Sequence, residues 1–113
     1  MLTDRFSPSQ LPDGFDGTLL VRPSSAAEAR AMLQAAGSAV ADKTLASALG
    51  AHLGVSVPVN RERVGLHPED QIVLAEYRGP RLAPGQAHMP DGARFDFFLI
   101  EVGVPTGWTH KKT

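Results

Sequence analysis

Asp42-Lys43-Thr44 opens a helical run, a placement that suits an anion. First-turn amides and the positive end of the helix dipole face it, with Lys43 as a charged partner for a phosphate. Arg5, Arg61, Arg63 and Arg78 are further cations for the same work, each also suited to a surface ion pair. Asp42 itself has two readings. An aspartate at that point is a favoured N-cap, accepting from the amides of the first turn, or it reaches a bound ligand. The four histidines, His52, His67, His88 and His110, contain no pair at the short spacing that a metal-binding helix or turn requires, so neither a metal nor another cofactor is expected. His52 falls on an apolar stripe, as a core-edge histidine does. No phosphate-binding glycine loop and no Gly-x-Ser-x-Gly elbow occurs.

The elements that must place these residues alternate between strand and helix. Leu2 to Phe6 reads as a short strand cut off by Ser7-Pro8, and a turn-rich segment through Pro12-Asp13-Gly14 and Asp16-Gly17 leads to a second strand, Thr18 to Arg22. Ser25 followed by Glu28 has capping-box spacing and predicts a helix from Ala26 to Ala36 that stops at Gly37, with Ala29, Met32, Leu33 and Ala36 on its core face. A second helix is predicted from Asp42 to Gly54, where Leu45, Ala48, Leu49, His52 and Leu53 form a stripe at helical spacing. Gly50 inside it costs roughly 1 kcal/mol against Ala, and Ala46 and Gly50, four apart, would admit another backbone. Val55–Val59 and Glu62–Leu66 are extended by composition, with Pro58 favouring an edge or bulge. Ile72–Tyr77 and Arg94–Val102 are strands with apolar side chains on both faces, the pattern of central strands covered on each side. An α/β domain over residues 1–103 follows, with 104–113 as a tail whose Trp108 either folds over a pocket and stacks on a base or frays.

Composition narrows the classes of function. A chain of 113 residues makes one domain with a single modest core, and 42% hydrophobic with 20% charged residues is ordinary globular composition. The formal charge of −1, without a Lys/Arg block, offers duplex nucleic acid little phosphate neutralisation. The absence of cysteine excludes disulfides, zinc thiolates and thiol catalysis. The opening Met1-Leu2-Thr3-Asp4-Arg5 has no apolar signal core and no stretch is long enough for a membrane span, so the expectation is a cytoplasmic protein without a membrane partner.

Phe6-Ser7, Leu53-Gly54-Val55-Ser56-Val57-Pro58-Val59-Asn60-Arg61, Pro68-Glu69-Asp70 and Arg81-Leu82 carry a further signal. Over Leu2 to Val102 the chain resembles the small viral ring-nuclease family, anti-CRISPR proteins that bind and cleave cyclic tetra-adenylate. The resemblance implies a mixed sheet of about five strands flanked by helices, a homodimer, and a nucleotide held across the two-fold axis. The residues that act in the family match less well. The family's catalytic histidine falls on Asp42, its neighbouring acid on Lys43 and its threonine on Leu45. An amide near the end of the first strand becomes Asp4, a glutamine of the later strand Glu76, and the glutamate of the Arg-Leu-x-Glu-Gly loop Pro84. Arg81 and Ser7 agree with the pattern.

These differences have chemical consequences. The family's histidine is similar to a general acid that protonates the departing 5′ oxygen as a ribose 2′-hydroxyl attacks its own phosphate, and an aspartate of ordinary pKa is already ionised at neutral pH and cannot donate. Asp4, Asp42 and Glu76 either point to water, as exposed carboxylates do, or make the implied pocket acidic, which disfavours phosphate but accepts well from ribose hydroxyls and exocyclic amines. The site expected on this resemblance is therefore a binding site without catalytic residues or metal, formed by Asp4, Phe6, Ser7, Asp42, Lys43, Thr44, Glu76 and Arg81. The function it implies is sequestration of a nucleotide immune second messenger, a cyclic oligonucleotide or a cyclic ADP-ribose type, in the host cytoplasm. A ring nuclease with other catalytic residues is the enzyme alternative, and a nonspecific nucleic-acid or virion-associated protein is a third class that the near-neutral charge disfavours.

Overall fold

Ser25 and Asp42 set where the two helices begin. A computed structural model of the chain describes residues 1–62, 65–67, 69–84, 86 and 89–103. Arg63, His88, His110, Trp108 and the rest of the tail, considered above, lie outside the described residues. The Ser25 hydroxyl accepts from the Glu28 amide and α1 runs Ala26–Ala36. Asp42 accepts from the Leu45 amide at 3.0 Å and α2 runs Lys43–Leu53, closed by Gly54 in the left-handed conformation that glycine adopts without strain. Glu28 does not close a reciprocal capping box; its carboxylate turns to Ser24 and Arg22, whose hydrogen bonds hold it below the ordinary carboxylate range.

Five strands form one mixed sheet. β1 (Leu2–Thr3), β2 (Leu19–Pro23), β3 (Ser38–Ala39), β4 (Gln71–Arg78) and β5 (Arg94–Val102) lie in the order β2-β5-β4-β1-β3. β1 runs parallel to β3 and β4, while β5 is antiparallel to β4 and β2. A short β1 holds the place between β3 and β4 because Leu2, fully buried, packs in the same core as the helices. Val55–Val59 and the described part of 62–66 are not strands. Val59 makes a single bridge to Val40, and Asn60 donates its backbone amide to the Val40 carbonyl and its side-chain amide to the Ser38 carbonyl, covering the open side of β3.

Both helices lie on one face. Ala29, Leu33, Ala46, Leu49 and Leu53 pack there against Val73, Ala75, Phe95, Phe97 and Leu99, with β5 and β4 central as their composition predicts. The opposite face is covered by an irregular segment rather than a helix: Phe6, Leu11 and Phe15 pack on Ile72, Leu74, Ile100 and Val102. That cover stops short of β2, whose Leu20 and Val21 are 57% and 55% exposed. Ala36 is exposed and Ala46 buried, so each helix is rotated slightly from its predicted face. Gly50 does admit a backbone, from its own chain. A Cβ there would lie 2.8 Å from the Val55 carbonyl oxygen, where the segment leaving α2 turns back.

Candidate functional site

Parallel strands send their chains out at one end of a sheet, and in α/β folds ligands sit outside those carboxyl ends. Here β1 leads into Asp4, β3 into Asp42 at the head of α2, and β4 into the segment that carries Arg81. A cavity of about 480 Å³ opens between the start of α2 and the end of β4, lined by Asp42, Thr44, Leu45, Tyr77, Gly79, Arg81, Leu82 and Pro84. Three of the eight expected residues, Asp42, Thr44 and Arg81, meet in it. Leu45, Tyr77, Leu82 and Pro84 give it apolar walls of the kind a flat base can lie against.

Arg81 differs from its neighbours. Arg5 donates to the Glu62 carbonyl, Arg22 to Glu28, Arg30 to the Leu53 carbonyl, Arg61 to the Ala41 carbonyl, Arg78 to Asp96 and Arg94 to Asp96. Among the described residues Arg81 alone of the arginines makes no hydrogen bond or ion pair. Its charge is available to whatever enters the cavity.

The remaining expected residues are distributed around this cavity. Asp4 accepts from the Ala41 and Asp42 amides at 3.3 and 3.4 Å, so it braces the turn from β3 into α2. Ser7 lines a separate cavity of about 380 Å³ with Arg5, Ser9, Gln10 and Arg61. Its hydroxyl also accepts from the Ser9 amide, capping a 3-10 turn over Pro8–Gln10. Arg61 reaches the Ala41 carbonyl at 3.1 Å, next to Asp42 of the first cavity, so both cavities border the Ala41–Asp42 turn. Lys43 lines a third groove along α2 with Ala46, Ser47 and Gly50. Phe6 packs on the sheet face away from the helices.

Glu76 sits on that far face as well. Side chains alternate along a strand, and β4 sends Val73, Ala75 and Tyr77 toward the helices while Ile72 packs on the other side. Glu76 therefore shares the outer face with Asp96, its partner in register, and both pair with Arg78. Hydrogen bonds from Arg94 and then Arg78 hold the Asp96 carboxyl below its ordinary range. The residue that β4 does present to the cavity is Tyr77, one position along. A one-residue step in an alignment exchanges the two faces of a strand, and with Ile72, Val73, Leu74 and Ala75 all apolar the sequence carries no alternation that would have fixed the step.

The amides expected to meet a phosphate at the head of α2 are partly taken. Asp4 and Asp42 accept from Ala41, Asp42 and Leu45, so two carboxylates stand where an anion would dock. The turn suits hydrogen-bond donors, and cations line the two cavities that border it, Arg81 in one and Arg5 with Arg61 in the other. Among the described residues no group of three acidic, histidine or cysteine side chains could hold a metal, and no helix is long and apolar enough to cross a membrane.

No family model and no curated protein matches the chain. Among solved structures it is similar to B116 of Sulfolobus turreted icosahedral virus (STIV), with a TM-score of 0.69 and 17% sequence identity over 88% of this chain and 95% of that one. At that identity the likeness is one of fold.

Proposed function

We propose that the protein binds a nucleotide second messenger, of the cyclic-oligonucleotide or cyclic ADP-ribose type, and holds it uncleaved in the host cytoplasm as an anti-defence sponge. The observation that carries this reading is the unpartnered Arg81 in a cavity with apolar walls and the Asp42 carboxylate. A phosphate takes Arg81, a base lies against Leu45, Tyr77, Leu82 and Pro84, and Asp42 accepts from a ribose hydroxyl or an exocyclic amine. Arg5 and Arg61 in the second cavity bordering the Ala41–Asp42 turn suit a second phosphate, which favours a ligand with two anionic groups held apart. Membranes and duplex nucleic acid have no part in this reading.

Binding without cleavage follows from what the cavity can donate. Intramolecular attack of a 2′-hydroxyl on its phosphate needs a proton delivered to the leaving oxygen. Asp42 stands where the sequence resemblance puts that acid, and its carboxylate serves as an acceptor for the Leu45 amide. The Tyr77 hydroxyl is already donating a hydrogen bond to the Pro80 carbonyl. The protein should therefore return what it binds. After incubation with a panel of cyclic oligonucleotides and cyclic ADP-ribose species, heating and chromatography are expected to release intact ligand. Linear or shortened product would establish the ring-nuclease alternative, and retention of none of the panel would overturn the reading.

The proposal includes a homodimer. Three consecutive apolar residues, Leu19, Leu20 and Val21, lie open on edge strand β2, a surface that single chains usually blunt with charge or cover. Light scattering in solution is expected to give twice the chain's 12.0 kDa, and a monomer mass at micromolar concentration would remove the dimer from the proposal.

A further inference from the structure

The segment that carries Arg81 is held at two points. On one side the Tyr77 hydroxyl donates to the Pro80 carbonyl, while the Tyr77 ring is fixed in the core by an edge contact with Phe95 at 5.6 Å and 63°. On the other side Leu82 packs against the helix-face core. Gly79 makes the first of these possible: its φ of 150° lies where side chains are strained, and a Cβ there would come within 2.6 Å of the Ala93 side chain and 3.1 Å of the Tyr77 oxygen. The backbone is thus drawn between Ala93 and Tyr77, and Arg81 follows one residue after the tied carbonyl. Tyr77, Arg81 and Leu82 line the same cavity.

We propose that Tyr77 is a positioning residue for Arg81, and that its hydroxyl, through Pro80, holds the otherwise unpartnered guanidinium at the cavity mouth ready for a ligand phosphate. The inference rests on the reading of Arg81 as the phosphate contact. An exposed arginine has many rotamers, and fixing its backbone lowers the entropy lost when it closes on a phosphate. The hydroxyl acts through the backbone, so its removal loosens the segment without vacating the aromatic contact on Phe95.

Tyr77→Phe separates these effects, because it keeps the ring and deletes only the hydroxyl. Backbone 15N order parameters of the full-length chain are expected to fall at Gly79, Arg81 and Leu82, from about 0.85 toward 0.6, with those of α2 and of β5 unchanged. Equal order parameters in the two proteins would overturn the proposal whatever the ligand. In the second arm, calorimetry with cyclic tetra-adenylate and with a cyclic ADP-ribose, Tyr77→Phe should weaken binding roughly three- to tenfold on the wild-type background and leave Arg81→Ala unchanged, since the tyrosine acts through that arginine. An equal loss on both backgrounds would mean that the Tyr77 hydroxyl touches the ligand itself, and would overturn the positioning role. A full effect of Arg81→Ala with none of Tyr77→Phe would overturn the inference while leaving the proposed function standing; no effect of Arg81→Ala would remove the reading beneath both.

Discussion

Arg81→Ala is expected to weaken nucleotide binding by about 1.5–3 kcal/mol, roughly ten- to 150-fold, with little change in stability. The magnitude is that of one charge-assisted contact with a phosphate. The guanidinium is exposed and has no partner among the described residues, so its removal strands no buried group and should shift the melting temperature little. Arg78→Ala is the matched control. Its guanidinium is already neutralised by Glu76 at 2.5 Å and Asp96 at 2.7 Å on the outer face of the sheet, so calorimetry should find its affinity within a factor of two or so of wild type. Unchanged affinity in Arg81→Ala, for a ligand that the wild type binds, would take Arg81 out of the site and with it the main support for the proposed function.

The framework around that site was legible wherever a local rule fixed it. Ser25 with Gly37 and Asp42 with Gly54 mark the helix ends because each cap satisfies backbone groups within a few residues of itself, and β5 is found over Arg94–Val102 as its apolar run predicts. What escaped was set by distant contacts. The place of β1 between β4 and β3 depends on Leu2 packing under two helices that lie far along the chain, and two residues are too few for any periodicity. Val55–Val59 has strand composition, yet its partner β3 is only two residues long, so Asn60 completes that edge with a side-chain amide instead of a ladder. The candidate site divided in the same way. Asp42, Thr44 and Arg81 come together because α2 and the end of β4 meet above parallel strands, whereas alternation along one strand puts Tyr77 in the cavity and Glu76 beside Arg78 on the outer face. Asp4 is the intermediate case. It leaves β1 at the place predicted for a ligand contact, and its carboxylate is engaged by the turn into α2.

The largest effect on the molecule is expected from Leu49→Ala, at about 2–5 kcal/mol of lost stability. Leu49 is fully buried at the middle of α2 and belongs to the cluster that joins both helices to β1, β4 and β5. Truncation removes its transfer free energy and leaves a cavity between helix and sheet that a close-packed interior fills only in part. Against a total of roughly 5–15 kcal/mol for a domain of this class, that is a substantial fraction. Leu49→Met conserves volume and should cost less than about 1.5 kcal/mol, which distinguishes lost packing from a general intolerance of change at that position. Urea unfolding should show the midpoint falling in Leu49→Ala with the slope unchanged. The head of α2 carries Asp42, Thr44 and Leu45 into the cavity, so the seating of Leu49 also fixes how far that wall stands from Arg81. Nucleotide affinity measured well below the variant's unfolding transition should therefore fall as well, and by less than in Arg81→Ala, because the helix is loosened while no ligand contact is removed. A loss of stability under 1 kcal/mol in Leu49→Ala would mean that α2 does not rest on the sheet through this residue, and the cavity wall it supports would need another anchor.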